Sequence, residues 1–252
     1  MTKKVSRRSF VKIASIADAA ASLPAHSLVE TVHQTPAVTE TLAVATAAAS
    51  DLTRYIFFTE PEAAFVEAAV DRIIPSDEVG PGALELSVAH YIDNQLASAY
   101  GNGERMYLEG PFGQGTETQG YQLPLRPREV YRIAIDDINS YCRANFALQV
   151  FATLASDDKD KVLTGLEKGE ITLANLPAQL FFGMLLQNTM EGYFADPIYG
   201  GNKDMGSWKM LGFPGAHADF RADVGKRERV VRSPLSLAMV SSQPQTSNRK
   251  QT

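Results

Sequence analysis

The chain has 252 residues and a net charge of −5, with 44% hydrophobic and 21% charged residues, which is ordinary for one globular domain with tails. Residues 1–20 carry a net +4 and residues 221–252 a net +5, which leaves −14 on residues 21–220. An acidic body repels nucleic acid and anionic lipid, and this excludes both as its main partners. The single cysteine, Cys142, excludes an intramolecular disulfide, an iron–sulfur cluster and a haem attached through two cysteines.

The N-terminus, residues 1–25, is predicted to be a twin-arginine export signal. The stretch "SRRSFVKIAS" holds the elements of that signal in register: Arg7, Arg8, Phe10 and Lys12. The weakly apolar stretch that follows is too short and too polar for a transmembrane helix. Proteins on this route cross the membrane folded, which predicts either a cofactor inserted before export or a bound partner that carries one.

Residues 26–56 are rich in alanine and threonine without any period, and we predict a flexible linker. The folded body is predicted to begin at Phe57. Its first helix, "TEPEAAFVEAAVDRIIP", combines a Thr-x-x-Glu capping box with apolar residues at helical spacing and a terminal proline. A second amphipathic helix is predicted from Val88. Residues 101–126 then form a long glycine-rich loop.

Three more helices are predicted, beginning at Pro127, Ser156 and Pro177. The last of them is strongly apolar and is predicted to be central to the core. It leads into a second glycine-rich loop, "GYFADPIYGGNKDMGSWKMLGFPG" (Gly192–Gly215). Hairpin signals and repeats are lacking, so the chain is predicted to be all-α. We expect one domain over residues 57–224, a compact bundle of about five helices with two long loops between disordered terminal segments.

A basic stretch closes the chain, and residues 225–252 are predicted to be a disordered tail.

Motifs for catalysis or cofactor binding do not stand out. The Gly192–Gly215 loop follows a helix, its glycine spacing differs from GxGxxG, and "GNKDMGS" lacks the order of a phosphate-binding loop. The adjacent pairs Asp136–Asp137 and Asp157–Asp158 point about 100° apart on a helix, and the four histidines have no metal-ligand spacing. We therefore expect no catalytic residue, no cofactor-binding residue and no metal ligand in this chain. A cofactor carried by a partner then explains folded export better.

Four stretches of the body resemble the gluconate 2-dehydrogenase subunit 3 family: Phe57–Leu96, Arg126–Arg132, Phe151–Ile171 and Phe181–Ala216. The last stretch is the most specific, because "DPIYGGN" and "WKMLGFPG" occur in it in that order. The resemblance covers nearly all of the predicted domain, and the twin-arginine start agrees with it.

The resemblance implies a non-catalytic small subunit of a periplasmic sugar or sugar-acid dehydrogenase. In such complexes the large subunit is a flavoprotein of the glucose–methanol–choline type, which holds FAD and performs the oxidation. A possible third subunit, a multi-haem cytochrome c, passes electrons to membrane quinones. The small subunit supplies the signal for the twin-arginine translocase and stays bound. It would thus lie at the periplasmic face of the inner membrane, associated only through its partners.

For the Gly192–Gly215 loop we predict docking to the flavoprotein, because aromatic and methionine side chains are typical of protein interfaces. The predicted contact residues are Asp196, Tyr199, Gly200, Gly201, Asn202, Trp208, Phe213 and Pro214. Trp208 could instead fill the core of the domain itself. Two alternatives stay open: an independent exported enzyme that uses this loop with Asp196 or Asp204, and an exported small-ligand binding protein with the two loops as its mouth.

Overall fold

The structure, a computed structural model, describes residues 54–113, 115–116, 119, 121–228 and 230–241. The four predicted residues of the export signal lie outside the described residues, so the signal stays a prediction.

Five long helices form the bundle: α1 (Glu60–Ile73), α2 (Val88–Ala97), α3 (Pro127–Asn145), α4 (Ser156–Lys168) and α5 (Ala178–Phe194). Two short helices follow, α6 (Gly206–Leu211) and α7 (Leu237–Ser241). Within the described ranges the only β pairing consists of two isolated bridges. The all-α class and the five predicted helices are confirmed. None of the helices in those ranges is both long and apolar enough to cross a membrane.

Helix ends follow the local signals in the sequence. The Glu62 carboxylate accepts the backbone N–H of Thr59 at 2.8 Å, which confirms this half of the predicted capping box. Helix α4 begins at Ser156 and ends at Lys168, and its C-terminal cap is Gly169, which has φ +69°. Glycine adopts this left-handed conformation without steric cost, and so it terminates the helix.

Helix α5 lies at the centre and packs against α1, α2, α3 and α4, as its apolar sequence predicts. An aromatic cluster joins it to its neighbours, with ring centroids 4.7 Å apart for Phe65 and Phe151 and 5.4 Å apart for Tyr131 and Phe181. All four rings are fully buried. Burial of each such side chain contributes about 1.5–3 kcal/mol, so this cluster is a main source of stability.

The segment that precedes α1 is fixed to the bundle by a buried carboxylate. Asp93 on α2 accepts hydrogen bonds from three successive backbone N–H groups at 2.6–2.9 Å, those of Ile56, Phe57 and Phe58. The guanidinium of Arg132 stacks on the Phe57 ring, 4.3 Å from its centroid. Backbone donors satisfy the Asp93 charge, and the described end of the predicted linker therefore docks on helices α2 and α3.

Within the predicted C-terminal tail, residues 230–241 contact the Gly192–Gly215 loop, and we call them the C-terminal strap. Leu235 forms a parallel bridge with Gly215, in which the Ala216 N–H donates to the Leu235 carbonyl at 2.7 Å. Ser236 is buried and α7 follows it. The anchors are backbone groups and one serine, which leave no periodic pattern in the sequence.

Candidate partner-binding surface

The glycines of the Gly192–Gly215 loop allow close packing on helix α2. A Cβ atom on Gly201 would lie 2.2 Å from the carbonyl oxygen of Gly192, and one on Gly192 would lie 2.7 Å from the Tyr91 ring. Gly200 has φ +99°, and a Cβ there would lie 2.5 Å from Nδ2 of Asn94. Glycine is required at these positions because a Cβ atom would clash with other atoms of the same chain. Two predicted contact residues, Gly200 and Gly201, therefore pack against the bundle.

Asn202 is a buried hub inside the loop. Its Nδ2 donates to the Ala195 carbonyl at 2.8 Å, and its Oδ1 accepts from the backbone N–H and the hydroxyl of Ser207 at 3.0 and 2.8 Å. Because these bonds connect residues before and after the glycines, Asn202 holds the loop in one conformation. The side chain is fully buried, so it offers nothing to a partner.

Trp208 fills the core of the loop. Its indole is 6% exposed, its Nε1 donates to the Phe194 carbonyl at 2.8 Å, and its ring packs edge-on against Phe213 at 5.1 Å. A Cβ on Gly215 would lie 2.7 Å from the indole. Of the two roles considered for Trp208, the geometry supports the core role.

Asp196 links the loop to the C-terminal strap. Its carboxylate accepts from the Ser236 hydroxyl at 2.6 Å and from the Leu237 N–H at 2.9 Å. It also accepts from the Ile198 N–H at 3.1 Å, which begins the turn Pro197–Tyr199. Both carboxylate oxygens of Asp196 therefore serve the fold. The other acid of the enzyme alternative, Asp204, is exposed at φ +55°.

The remaining predicted contact residues face outward. Tyr199 and Phe213 are 52% and 46% exposed, and Pro214 is half-buried. Sequence reasoning missed four further apolar side chains that are 46–55% exposed: Ile198, Leu211, Leu237 and Met239. The last two lie in the strap, where α7 contacts the turn Pro197–Tyr199, and no pattern in the supposed tail indicated them.

We call these six large side chains the apolar loop surface: Ile198, Tyr199, Leu211, Phe213, Leu237 and Met239.

A polar network joins α5 to α3 and to the residues that follow α2. Asn188 donates from Nδ2 to the Tyr131 hydroxyl at 2.9 Å and accepts from the Tyr100 hydroxyl at 3.4 Å. Burial, with the nearby Glu191 carboxylate, raises the pKa of Tyr91 to about 12, and burial raises the pKa of Tyr131 well above its ordinary value. At neutral pH these phenols are therefore uncharged hydrogen-bonding groups that support α5.

Clusters of three or more His, Cys, Asp or Glu that could hold a metal ion do not occur in the described ranges. Cys142 is buried on α3, and burial raises the pKa of its thiol to about 11. A thiol in this state is a poor nucleophile at neutral pH.

The chain was compared with known protein families, with curated proteins and with solved structures. A family model described as gluconate 2-dehydrogenase subunit 3 matches residues 60–215. No curated protein and no solved structure matches the chain. The matched range begins with the first residue of α1 and ends at the glycine that packs against Trp208.

Proposed function

Because the chain belongs to the gluconate 2-dehydrogenase subunit 3 family, we propose that it is the non-catalytic small subunit of a periplasmic, FAD-dependent dehydrogenase complex that oxidises gluconate or a related sugar. The observation that carries this proposal is the family match. The match spans all five long helices and the whole Gly192–Gly215 loop.

In this proposal a large flavoprotein subunit of the glucose–methanol–choline type holds FAD and performs the oxidation. The small subunit contributes the twin-arginine signal, with Arg7, Arg8, Phe10 and Lys12, and carries the folded, FAD-loaded partner across the membrane. It then stays bound and stabilises the flavoprotein. A multi-haem cytochrome c subunit would hold the complex at the periplasmic face of the inner membrane.

The geometry of the loop supports docking to another protein. Exposure of large apolar side chains to water is unfavourable, and half-exposed side chains of this kind are common where a protein binds a partner. Inward residues such as Asn202 and Trp208 hold the loop backbone in place. A partner would therefore meet a preformed surface and would pay little to order it.

The enzyme and small-ligand alternatives need polar groups that are directed at a ligand. In this loop Asp196 and Asn202 direct their hydrogen-bonding atoms to residues of the chain itself. The exposed side chains of the loop include large apolar ones, and the charged ones among them, Lys203, Asp204 and Lys209, do not form a cluster of metal-binding type. This arrangement favours protein docking over both alternatives.

The test is co-expression of the tagged chain with a candidate large subunit, a flavoprotein of the glucose–methanol–choline type sought among the neighbouring reading frames. We expect the two to co-purify with a flavin absorbance spectrum, and the double variant Tyr199→Asp, Phe213→Asp to lose the flavoprotein. Tyr107→Asp is the matched control, because Tyr107 is an even more exposed aromatic residue on the other long loop.

Absence of co-purification from the unmodified chain would refute the proposal. Flavin absorbance together with dehydrogenase activity in the isolated chain would support an independent enzyme instead.

A further inference from the structure

The segment directly before α1 is held by side chains of three helices, and we call its residues 55–58 the N-terminal clasp. Tyr55 stacks on the His90 ring of α2, with centroids 4.4 Å apart, and its hydroxyl donates to the Glu67 carboxylate of α1 at 2.6 Å. On α3, the Arg132 guanidinium covers the next aromatic ring of the clasp, 4.3 Å from its centroid. Because its contacts come from α1, α2 and α3, the clasp can close only on the assembled bundle.

The Asp93 carboxylate gives the clasp two discrete states. Asp93 is 1% exposed, and the three hydrogen bonds described for its carboxylate all come from backbone N–H groups of the clasp. An open clasp would leave a buried carboxylate without these donors, which is unfavourable. The clasp is therefore either closed, with Asp93 satisfied, or open at a cost in free energy.

The same turn of α2 also meets the loop that carries the apolar loop surface. His90, Asp93 and Asn94 are spaced i, i+3 and i+4, which places them on one helix face. Asn94 donates from Nδ2 to the Tyr199 carbonyl at 3.3 Å. A Cβ atom on Gly200 would lie 2.5 Å from that nitrogen and 3.6 Å from the His90 carbonyl oxygen. One turn of α2 thus lies against both the clasp and the part of the loop that carries Tyr199.

We propose that this turn of α2 couples binding of the large subunit at the apolar loop surface to closure of the N-terminal clasp. This inference rests on the proposed function. A partner seated on Tyr199 holds the loop against Asn94 and so restricts the motion of this turn of α2. His90 and Asp93 then stay in the positions that bind the clasp. Coupling between two sites is reciprocal, so closure of the clasp strengthens docking by the same factor.

The consequence of the coupling is mutual stabilisation of the two subunits. The clasp has the sequence "YIFF", a run of four large apolar residues. Runs of this kind associate non-specifically when they are exposed. Docking keeps the run covered in the small subunit, and the closed clasp in turn slows release of the large subunit.

Trypsin cleavage after Arg54 measures opening of the clasp in the full chain. Arg54 is exposed, but a protease binds residues on both sides of the bond that it cuts, so Tyr55 and Ile56 must first leave the bundle. Mass spectrometry follows the fragment that begins at Tyr55. We expect a saturating amount of the large subunit to slow this cleavage about fivefold or more.

Asn94→Ala separates coupling from direct cover of the cleavage site by the large subunit. The variant removes the bond between α2 and the Tyr199 carbonyl. It should still bind the large subunit, but the bound partner should no longer slow cleavage after Arg54. The matched control is Gln95→Ala, the neighbouring half-buried position on α2, which should keep the protection of the unmodified chain.

Asp93→Asn tests the coupling from the opposite side. The amide keeps the size of the side chain but loses the charge that three N–H groups share, so cleavage after Arg54 should become about tenfold faster. The affinity for the large subunit should fall by about fivefold, the factor expected for protection in the unmodified chain. Circular dichroism should show that the variant keeps the helical content of the unmodified chain.

The other outcomes overturn the coupling or the proposed function separately. Equal cleavage rates with and without bound large subunit, or unchanged affinity in Asp93→Asn when its clasp is open, would remove the coupling and leave the proposed function standing. Protection that persists in Asn94→Ala would show that the large subunit covers Arg54 directly. Failure of the unmodified chain to bind any flavoprotein would remove both proposals together.

Discussion

At the scale of the residue, Asn202 determines the conformation of the loop. Replacement by alanine removes the bond to the Ala195 carbonyl and leaves the buried hydroxyl and N–H of Ser207 without their acceptor. Unsatisfied buried polar groups cost about 1–3 kcal/mol each, and we expect Asn202→Ala to lower the free energy of unfolding by about 2–4 kcal/mol. Urea unfolding followed by the fluorescence of Trp208, the single tryptophan, measures this.

Asp204→Ala is the control for Asn202→Ala. Both residues have positive φ, +47° for Asn202 and +55° for Asp204, so both variants place alanine in the same strained region. Asp204 is exposed, and its replacement should cost much less. Equal losses in the two variants would show that backbone strain, and not the hydrogen bonds, accounts for the effect.

Cys142 gives a pH dependence of stability. Burial raises the pKa of its thiol from 9.0 to about 11, so the folded state holds this proton more tightly than the unfolded state. Its contribution to stability is therefore complete below pH 9 and is lost as the pH rises through about 11. Two pKa units correspond to about 2–3 kcal/mol.

The measurement for Cys142 compares the unmodified chain with Cys142→Ala. At pH 7 the variant should be the less stable protein by about 1 kcal/mol, because it leaves a small cavity. Above pH 9 this difference should shrink, and it should reverse near pH 10, since only the unmodified chain has a buried thiol to ionise. Tyrosines that titrate in the same range affect both proteins equally. A stability difference that stays constant from pH 7 to pH 11 would show that folding does not raise the pKa of the Cys142 thiol.

Single residues also show where sequence reasoning ends. The sequence marked Asp196, Asn202 and Trp208 as unusual, and the structure gives each of them an internal partner. A glycine-rich stretch has the same composition whether its glycines admit a cofactor, a partner or a neighbouring helix. No sequence pattern indicated the role of the buried Asp93. Its hydrogen-bond donors are backbone N–H groups about 35 residues away, and nearly every residue of any sequence carries such a group.

At the scale of the element, the five long helices were predictable because their signals are local. Caps, terminal glycine and proline, and apolar residues at helical spacing all act within a few residues. The central position of helix α5 could be predicted because the sequence of this helix is strongly apolar. The C-terminal strap could not be predicted, since its anchors are the Asp196 carboxylate and the backbone at Pro214 and Ala216. Such contacts depend on tertiary structure and have no sequence period.

The strap gives a prediction at the same scale. Ser236→Ala removes the bond from the buried hydroxyl to Asp196 and leaves that carboxylate partly unpaired, so the strap should open more often. Trypsin cleavage after Arg232 should become about tenfold faster, which corresponds to about 1.4 kcal/mol of local opening free energy. The midpoint of global unfolding should change little, because the bonds that hold the strap are made to the loop and not to the aromatic cluster. Ser233→Ala, at an exposed strap position, is the control, and equal cleavage rates would refute the anchoring role of Ser236.

At the scale of the whole molecule, the helical domain and the predicted export signal are expected to act independently of each other. The helical domain matches the family from residue 60 onward, and the described residues begin at Arg54. The predicted twin-arginine signal, with Arg7 and Arg8, lies well before both. A change in the motif should therefore alter export without altering the bundle or its docking surface.

The double variant Arg7→Lys, Arg8→Lys keeps the positive charge of the N-terminus but loses the planar guanidinium groups, which lysine does not replace in specific recognition. We expect the small subunit and the FAD-loaded large subunit to accumulate together in the cytoplasm, still bound to each other. Cell fractionation with immunoblots for both subunits, and dehydrogenase activity in each fraction, measures this outcome. The control is Lys3→Arg, Lys4→Arg, which has equal charge and should export normally. If the large subunit still reaches the periplasm in the Arg7, Arg8 variant, it does not depend on this chain for export, and only the docking role of the small subunit survives.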